Sequence, residues 1–465
     1  MTNSKRLSSL LSRTKLKKYL LGSTVVIVIC SVLMLQQACM SSPEPDLQTV
    51  VYATASTAYS LSAAQNEIDP DVWPQWRGPT RDGKVAVKEN APAWPDAISD
   101  KNMTSTWQVS VGKGYSSPIV SRDHIFTVET SQKKYEVVRA MDRKTGKQVW
   151  ERQWDGAMTV PFFANRNGSW VRSTPAFDGK SLYVGGMRDF LVCLDAKTGK
   201  VNWQVDFVKR FKSPNPSFGF VCSPLVAGDH LYVQAGGAFV KLNKKTGETV
   251  WRTLSDGGAM YGSAFSSPVI ANIQGKPQLI VQTRASLAGV DPDDGKVLWT
   301  RKIKAFRGMN ILTPTIIDNA VLASTYGGRT QMIKIDKNEK GFSTSVAWDN
   351  RLQGYMSSPV VIGNYIYLHM RSKRLACVDL TTGEIKWTTS RSFGDYWSMV
   401  SRGQKILALD QNGMLYLIRA NPEKFDLIDE RRVSDGETWA HLAVVGTDLF
   451  VRELNSMMVF DWKNN

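Results

Sequence analysis

The sequence predicts an all-β fold: an eight-bladed β-propeller of four-stranded antiparallel blades, its ring closed by pairing of N-terminal and C-terminal strands. Three observations predict it. A unit Asp-x-x-Thr-Gly-x-x-x-Trp recurs at Asp142 to Trp150, Asp195 to Trp203, Asn243 to Trp251, Asp291 to Trp299 and Asp379 to Trp387. A stretched copy runs from Asp336 to Trp348, and a lone Trp107 precedes them all. Successive Trp residues lie 43, 53, 48, 48, 49 and 39 residues apart, the period of an array whose units cannot bury their apolar faces alone. Second, a small-small-Pro triplet opens a strand in each unit: Ser116-Ser117-Pro118, Ser173-Thr174-Pro175, Cys222-Ser223-Pro224, Ser266-Ser267-Pro268, Leu312-Thr313-Pro314 and Ser357-Ser358-Pro359, with degenerate copies near Ser398 and Ala440. That makes eight units. Third, each unit holds short runs of β-branched and aromatic residues bounded by Gly, Asp and Asn, the mark of strands and tight turns. Four such strands make a propeller blade.

The elements follow in chain order. Residues 1–39 read as a signal peptide or membrane anchor. Lys5, Arg6, Arg13, Lys15, Lys17 and Lys18 form a positive region, and the 17 residues from Tyr19 to Leu35 carry no charge, a targeting pattern at the short end for a spanning helix. Ala38 and Cys39 match the end of a bacterial lipobox, although Gln36 stands where an aliphatic residue is usual. Lipidation at Cys39 is the expectation; an uncleaved anchor and ordinary signal cleavage are the alternatives. Met40 is not the Asp that retains lipoproteins at the inner membrane. The expected location is therefore the periplasm, attached to a membrane, with the outer membrane favoured. Residues 40–70, rich in Ser, Ala, Thr and Pro, read as a flexible linker. Residues 71–102, which contain Trp73-Pro74-Gln75-Trp76-Arg77-Gly78, are a lead-in expected to pack on the ring in a structural role.

The propeller proper spans 103–465. In the repeated turn, Asp and Thr side chains bond backbone amides and Gly takes a positive φ. The Trp ring packs between blades and covers apolar surface. The eighth unit ends at Val459-Phe460-Asp461-Trp462 without an outer strand. The orphan strand around Trp107 supplies it, which leaves no open seam. Seven blades is the alternative, because the last two units are the weakest.

Composition bounds the partners. The 465 residues are 42% hydrophobic and 22% charged, with a formal charge of +16. Many cations fall in the turns (Lys144, Lys147, Lys197, Lys200, Lys244, Lys245), where they are solvated; no nucleic-acid partner is expected. The five Cys include no C-x-x-C, hence no zinc or haem signature. Cys193 and Cys377 occupy the same repeat position in apolar strands and read as core. The four His show no metal-ligand spacing, and no metal site is expected.

These in-phase marks resemble the pyrroloquinoline-quinone-type (PQQ-like) β-propeller repeats, most closely the non-catalytic BamB-like branch of that superfamily. The resemblance implies one of two roles. One is a PQQ-dependent quinoprotein alcohol or sugar dehydrogenase, with calcium beside the quinone. The other is a scaffold that binds a protein partner in envelope or outer-membrane protein assembly. In this topology the loops before the first strand and between the second and third strands share one face and ring the channel mouth. The residues expected there include Tyr115, Arg172, Phe220, Phe265, Asn310, Tyr355, Tyr396, Trp397, Trp439 and His441, with Arg188, Arg284, Arg329, Arg371 and Arg452 from the second set of loops. Aromatics and Arg are what interfaces enrich. The candidate partner-binding set is Arg172, Arg284, Arg371, Tyr355, Trp397 and Trp439. The resemblance ties dehydrogenase activity to a calcium cluster of Glu, Asn and Asp, an Asp base and adjacent Cys residues. Asp395 is the only acid beside a funnel aromatic, and there is no Cys-Cys pair. No catalytic residue and no cofactor are therefore expected. The reading is a monomeric, membrane-tethered scaffold with a protein partner in the cell envelope; a quinoprotein dehydrogenase and a small-ligand or glycan sensor are the alternatives.

Overall fold

The computed structural model describes residues 44–53, 68–260, 262 and 264–463; Cys39 and the rest of the leader lie outside them. The chain forms eight four-stranded antiparallel blades, at 119–155, 176–206, 225–253, 269–302, 315–350, 360–388, 397–432 and 443–462, numbered 1 to 8 below. Blade 8 takes its outer strand from Met103–Ser110, which pairs antiparallel with Ser456–Trp462. The ring therefore closes as the orphan Trp107 predicts, and the eight-blade count holds.

Why the motif repeats is visible at the rim. Each pairing of third and fourth strands carries a register shift just before the Trp position. A bulge of this kind re-aims the side chain that follows it, here onto the neighbouring blade. The Trp107 ring lies against Gly146, Trp150 against Gly199, Trp203 against Gly247, Trp251 against Gly295 and Trp348 against Gly383. A Cβ at Gly199 would sit 2.6 Å from a Trp150 ring carbon, and the same residue has φ +68°. Glycine is thus required twice, for conformation and for close approach. The indole N–H groups of Trp150, Trp203 and Trp348 donate to carbonyls of Ala196, Lys244 and Leu380 in the next blade. Within the turns Asp142, Asp195 and Asp379 each accept from the Thr amide and hydroxyl three residues on. Blade 5 has a long hairpin, Thr330–Asn338 with Gly341–Asn350, in place of the Thr-Gly turn. Trp299 of blade 4 accordingly bonds Gln278 of its own blade instead.

The small-small-Pro triplets do a second job at the hub. Their middle hydroxyl ties adjacent blades: the amides of Ser117, Thr174, Ser223 and Thr313 donate to the hydroxyls of Thr174, Ser223, Ser267 and Ser358, and the His441 amide donates to Ser117. Apolar clusters fill the space between blades. One joins Leu191, Cys193 and Val205 of blade 2 to Leu231, Val233 and Val240 of blade 3. Cys193 and Cys377 are buried core, as their repeat position implies.

Two N-terminal segments pack on the ring. The lead-in runs across its centre. The Trp73 amide and carbonyl pair with Val120 of blade 1, and the Pro74 carbonyl accepts from Phe177 of blade 2. Arg81 donates to Ser223 and Pro224 carbonyls of blade 3. Trp76 bonds the Thr313 hydroxyl of blade 5 and meets the His441 ring of blade 8 at 5.2 Å. Arg77 donates to the Pro359 carbonyl of blade 6, and Gly83 and Val85 pair with Ser401 of blade 7. One short segment thus touches the inner strands or triplets of seven blades, so it enters the channel as a plug. Residues 94–98 then run to blades 7 and 8, where Trp94 packs on Trp462 and the Ile98 amide bonds Asp429.

The flexible-linker expectation for 40–70 is corrected over 44–53. Val50–Val51 adds a fifth strand to blade 3, with Val50 opposite Arg252 and Val51 opposite Trp251. Asp46 and Ser255 exchange backbone hydrogen bonds, Thr49 donates to the Gly295 carbonyl, and Glu44 pairs with Lys302 at 2.8 Å. The outer strand of blade 3 has free backbone groups on its edge, and this strap satisfies them.

Candidate partner-binding face

The loops before each inner strand and between second and third strands do share one face, here the upper face. They gather aromatic and cationic side chains into three groups. Tyr115, Trp439 and Tyr396 stand 6.0–6.1 Å apart in series, with the Arg172 guanidinium 5.9 Å from the Tyr115 ring. Phe163, Phe218 and Phe265 form a second series, with Arg284 4.6 Å from Phe265. Phe306, Tyr326 and Tyr355 form a third, with Arg371 4.2 Å over Tyr326.

The side chains of the predicted set do not share one fate. Arg371 is exposed, while Arg172, Tyr355 and Trp439 are half-buried. Burial holds the Arg172 guanidinium below its ordinary pKa and pushes the Tyr355 phenol up. Trp397 has no exposed surface and is not at the mouth. It begins the inner strand Trp397–Arg402 and turns between blades 6 and 7, stacked on His369 and Tyr416 and 4.4 Å from Phe393. The sequence placed it at a loop end, where one residue of phase decides between rim and core. Arg284 is also buried, and donates to the carbonyls of Met260, Gly262 and Arg307. Arg452, at the equivalent position of blade 8, donates to Gly112, Ser116 and Val128 of the blade 1 region. These arginines latch neighbouring loops; burial lowers the Arg452 pKa to about 10, which leaves it charged at neutral pH.

Two buried carboxyls likewise join neighbouring blades. Glu136 of blade 1 accepts from the Met187 amide of blade 2 at 2.6 Å and from the Trp154 indole at 2.8 Å. Asp189 of blade 2 accepts from the Gly236 amide of blade 3 at 2.6 Å. Desolvation raises the pKa of each to about 7, against the lowering effect of those hydrogen bonds.

Where blades 5 and 6 meet, the upper face opens into a cleft of about 490 Å³ lined by Arg351, Leu352, Gln353, Met370, Arg371, Ser372, Arg374, Ile385 and Thr388. Arg351, Arg371 and Arg374 are exposed, and none forms an ion pair with an acidic residue among the described residues. Leu352 and Met370 are buried beneath them. Three cations thus converge on an apolar floor. Sequence reading caught Arg371 and missed the other two, although the run Arg371-Ser372-Lys373-Arg374 marked a basic loop. Asp395, the acid flagged beside the funnel, is paired with Lys373 at 2.8 Å.

Trp76, Arg77 and Arg81 fill the channel at the level of the triplets. No group of three or more His, Cys, Asp or Glu side chains suited to a metal ion occurs among the described residues.

Comparison with known proteins places this geometry in a family. The family model of the outer membrane protein assembly factor BamB matches residues 133–389. The outer membrane protein assembly factor BamB of Yersinia pestis is 25% identical over 260 residues, 53% of this chain and 63% of the relative. That of Shewanella oneidensis is 23% identical over 331 residues, 67% of each chain. The chain therefore spans just under two thirds of the first of these relatives. Among solved structures, BamB from Moraxella catarrhalis aligns with a TM-score of 0.59 at 16% identity, covering 78% of this chain and 98% of that one. Quinohemoprotein alcohol dehydrogenase from Comamonas testosteroni aligns with a TM-score of 0.59 at 14% identity, covering 84% and 80%. Equal likeness to an assembly factor and to a dehydrogenase shows the shared fold and no more. The family match covers more than half of the chain and carries the same repeated seams, so this eight-bladed propeller belongs to the BamB family of PQQ-like repeat proteins.

Proposed function

We propose that this protein is an exported, membrane-tethered scaffold that serves outer-membrane protein assembly by docking another envelope protein on its upper face, without a cofactor and without catalysis. The observation that carries this reading is the cleft between blades 5 and 6. Three exposed guanidiniums line one cleft without an ion pair to a carboxylate among the described residues, and a partner that brings acidic groups would supply one. Complementary charge also speeds encounter and fixes register. The apolar floor of Leu352 and Met370 supplies surface that a partner buries at about 25 cal/mol per Å². The fitting partner segment therefore carries acidic side chains beside apolar ones. The family's members are named as assembly factors of outer membrane proteins, which supports the same role.

A photo-crosslinking residue at Ser372, in the full chain in intact envelopes, tests this. The expected result is a discrete protein adduct that Arg351→Glu with Arg374→Glu reduces at least several-fold. No adduct, or one indifferent to charge reversal, would overturn the docking site.

A further inference from the structure

We infer that the flank of blade 3, with the N-terminal strap laid along it, is the side of the ring that rests on the lipid surface. The inference depends on the proposed N-terminal anchor and adds which side of the propeller that anchor holds down. Cys39 and Glu44 are five residues apart, and an extended chain reaches at most about 3.5 Å per residue. The first docked residue therefore stays within roughly 17 Å of a lipidated Cys39. From Glu44 onward the strap is fixed to blades 3 and 4 by backbone pairing and by Lys302. The docked part of the strap thus begins on the flank of blades 3 and 4.

The strap's outer surface suits that position. Leu47, Val50, Val51 and Tyr52 are 42%, 50%, 57% and 50% exposed, an apolar row 8 to 13 residues after Cys39. Exposed apolar surface of this kind marks a place of contact, and Tyr is at home where one end is apolar and the other wet. Tyr52 leans on Phe211 at 5.9 Å. The next residue is Lys212, and Lys296 follows the Gly295 that holds Thr49. Both lysines are exposed and can meet lipid phosphates. The strap also carries Glu44 and Asp46; Glu44 is neutralised by Lys302.

The test uses the full chain reconstituted in phosphatidylethanolamine and phosphatidylglycerol vesicles. A fluorophore is placed at Val51→Cys or, on blade 7 across the ring, at Lys424→Cys, with the unsubstituted chain as blank, and nitroxide-bearing lipids are added. Quenching several-fold stronger at position 51 than at 424 is the expected result. Vesicle flotation with equal quenching at both positions, or stronger quenching at 424, would sink the orientation and leave the anchor standing. Shielding of position 51 that grows with protein density would assign the flank to a second copy and likewise overturn it. Failure to float would remove the anchor reading and this inference with it.

Discussion

At the rim and the hub, neighbouring blades are joined by the same contacts again and again, whereas the lead-in joins seven blades once, through a segment with no counterpart elsewhere in the chain. The repeated ties are individually modest: an indole on a glycine, an Asp in a turn, a hydroxyl accepting an amide. Losing one leaves its copies in place. The lead-in has no copies. Its Arg77 and Arg81 are buried guanidiniums that satisfy backbone carbonyls from the lead-in itself and from blades 3 and 6. Repetition spreads stability over the ring, and the plug concentrates it at one point.

The largest expected effect breaks the plug. Arg77→Met leaves the carbonyls of Arg81, Asp82 and Pro359 without that donor, in a site where unsatisfied groups cost about 1–3 kcal/mol each. The variant is expected to lose about 3–5 kcal/mol, read as a fall in the urea midpoint. A loss below that of the rim variants would remove the contrast. At the rim, Gly199→Ala adds a Cβ against Trp150 at positive φ, and about 2–3 kcal/mol is expected. Gly179→Ala, at φ +93° with nothing nearby, isolates the conformational part at about 1 kcal/mol. In a Trp150→Leu background the Gly199→Ala cost should shrink toward that smaller value; an unchanged cost would mean the ring contact is not its source.

A third prediction concerns the seam between blades 1, 2 and 3. A carboxyl whose folded pKa is raised binds its proton more tightly in the folded state. Its contribution is therefore full below the unfolded pKa, near 4, and is lost as pH rises through about 7. Stability should fall between pH 5 and pH 8. Asp189→Asn keeps the acceptor for the Gly236 amide and tolerates the left-handed backbone at that position, where φ is 61°. It should flatten the profile and exceed the parent at pH 8 by roughly 1–3 kcal/mol. A profile as steep as the parent's would assign the dependence elsewhere. Smallest is Asp195→Ala, which strips hydrogen bonds from one exposed turn and should cost about 1 kcal/mol with the ring intact.

What could be read from the sequence divides along the same line. The Trp period, the triplets and the orphan Trp107 strand are repeated or paired features, and periodicity reports them without knowledge of the third dimension. They foretell the blades, the closure and the buried Cys193 and Cys377. The plug and the strap were illegible because a segment that occurs once has no phase to compare with. Trp73-Pro74-Gln75-Trp76-Arg77-Gly78 announced structure but not its destination. At the site, the upper face was legible from topology, but exposure was not. Arg284 and Arg371 hold equivalent places in their blades, and only the neighbouring loops decide that one is consumed by carbonyls while the other stands in a cleft. Trp397 failed for a related reason, since rim and core differ by a single position along a strand.

The closing sheet has one further consequence, which concerns time. Met103–Ser110 finds its partner in Ser456–Trp462, almost at the other end of the chain. During synthesis that first strand must wait, unpaired, until the residues up to Ser456 have been made, and contacts between such distant residues form slowly. Completion of the ring thus requires that Ser456–Trp462 has been made: a molecule truncated before Ser456 keeps an open seam beside blade 1. In such a protein the last strand acts as the latch on a finished object.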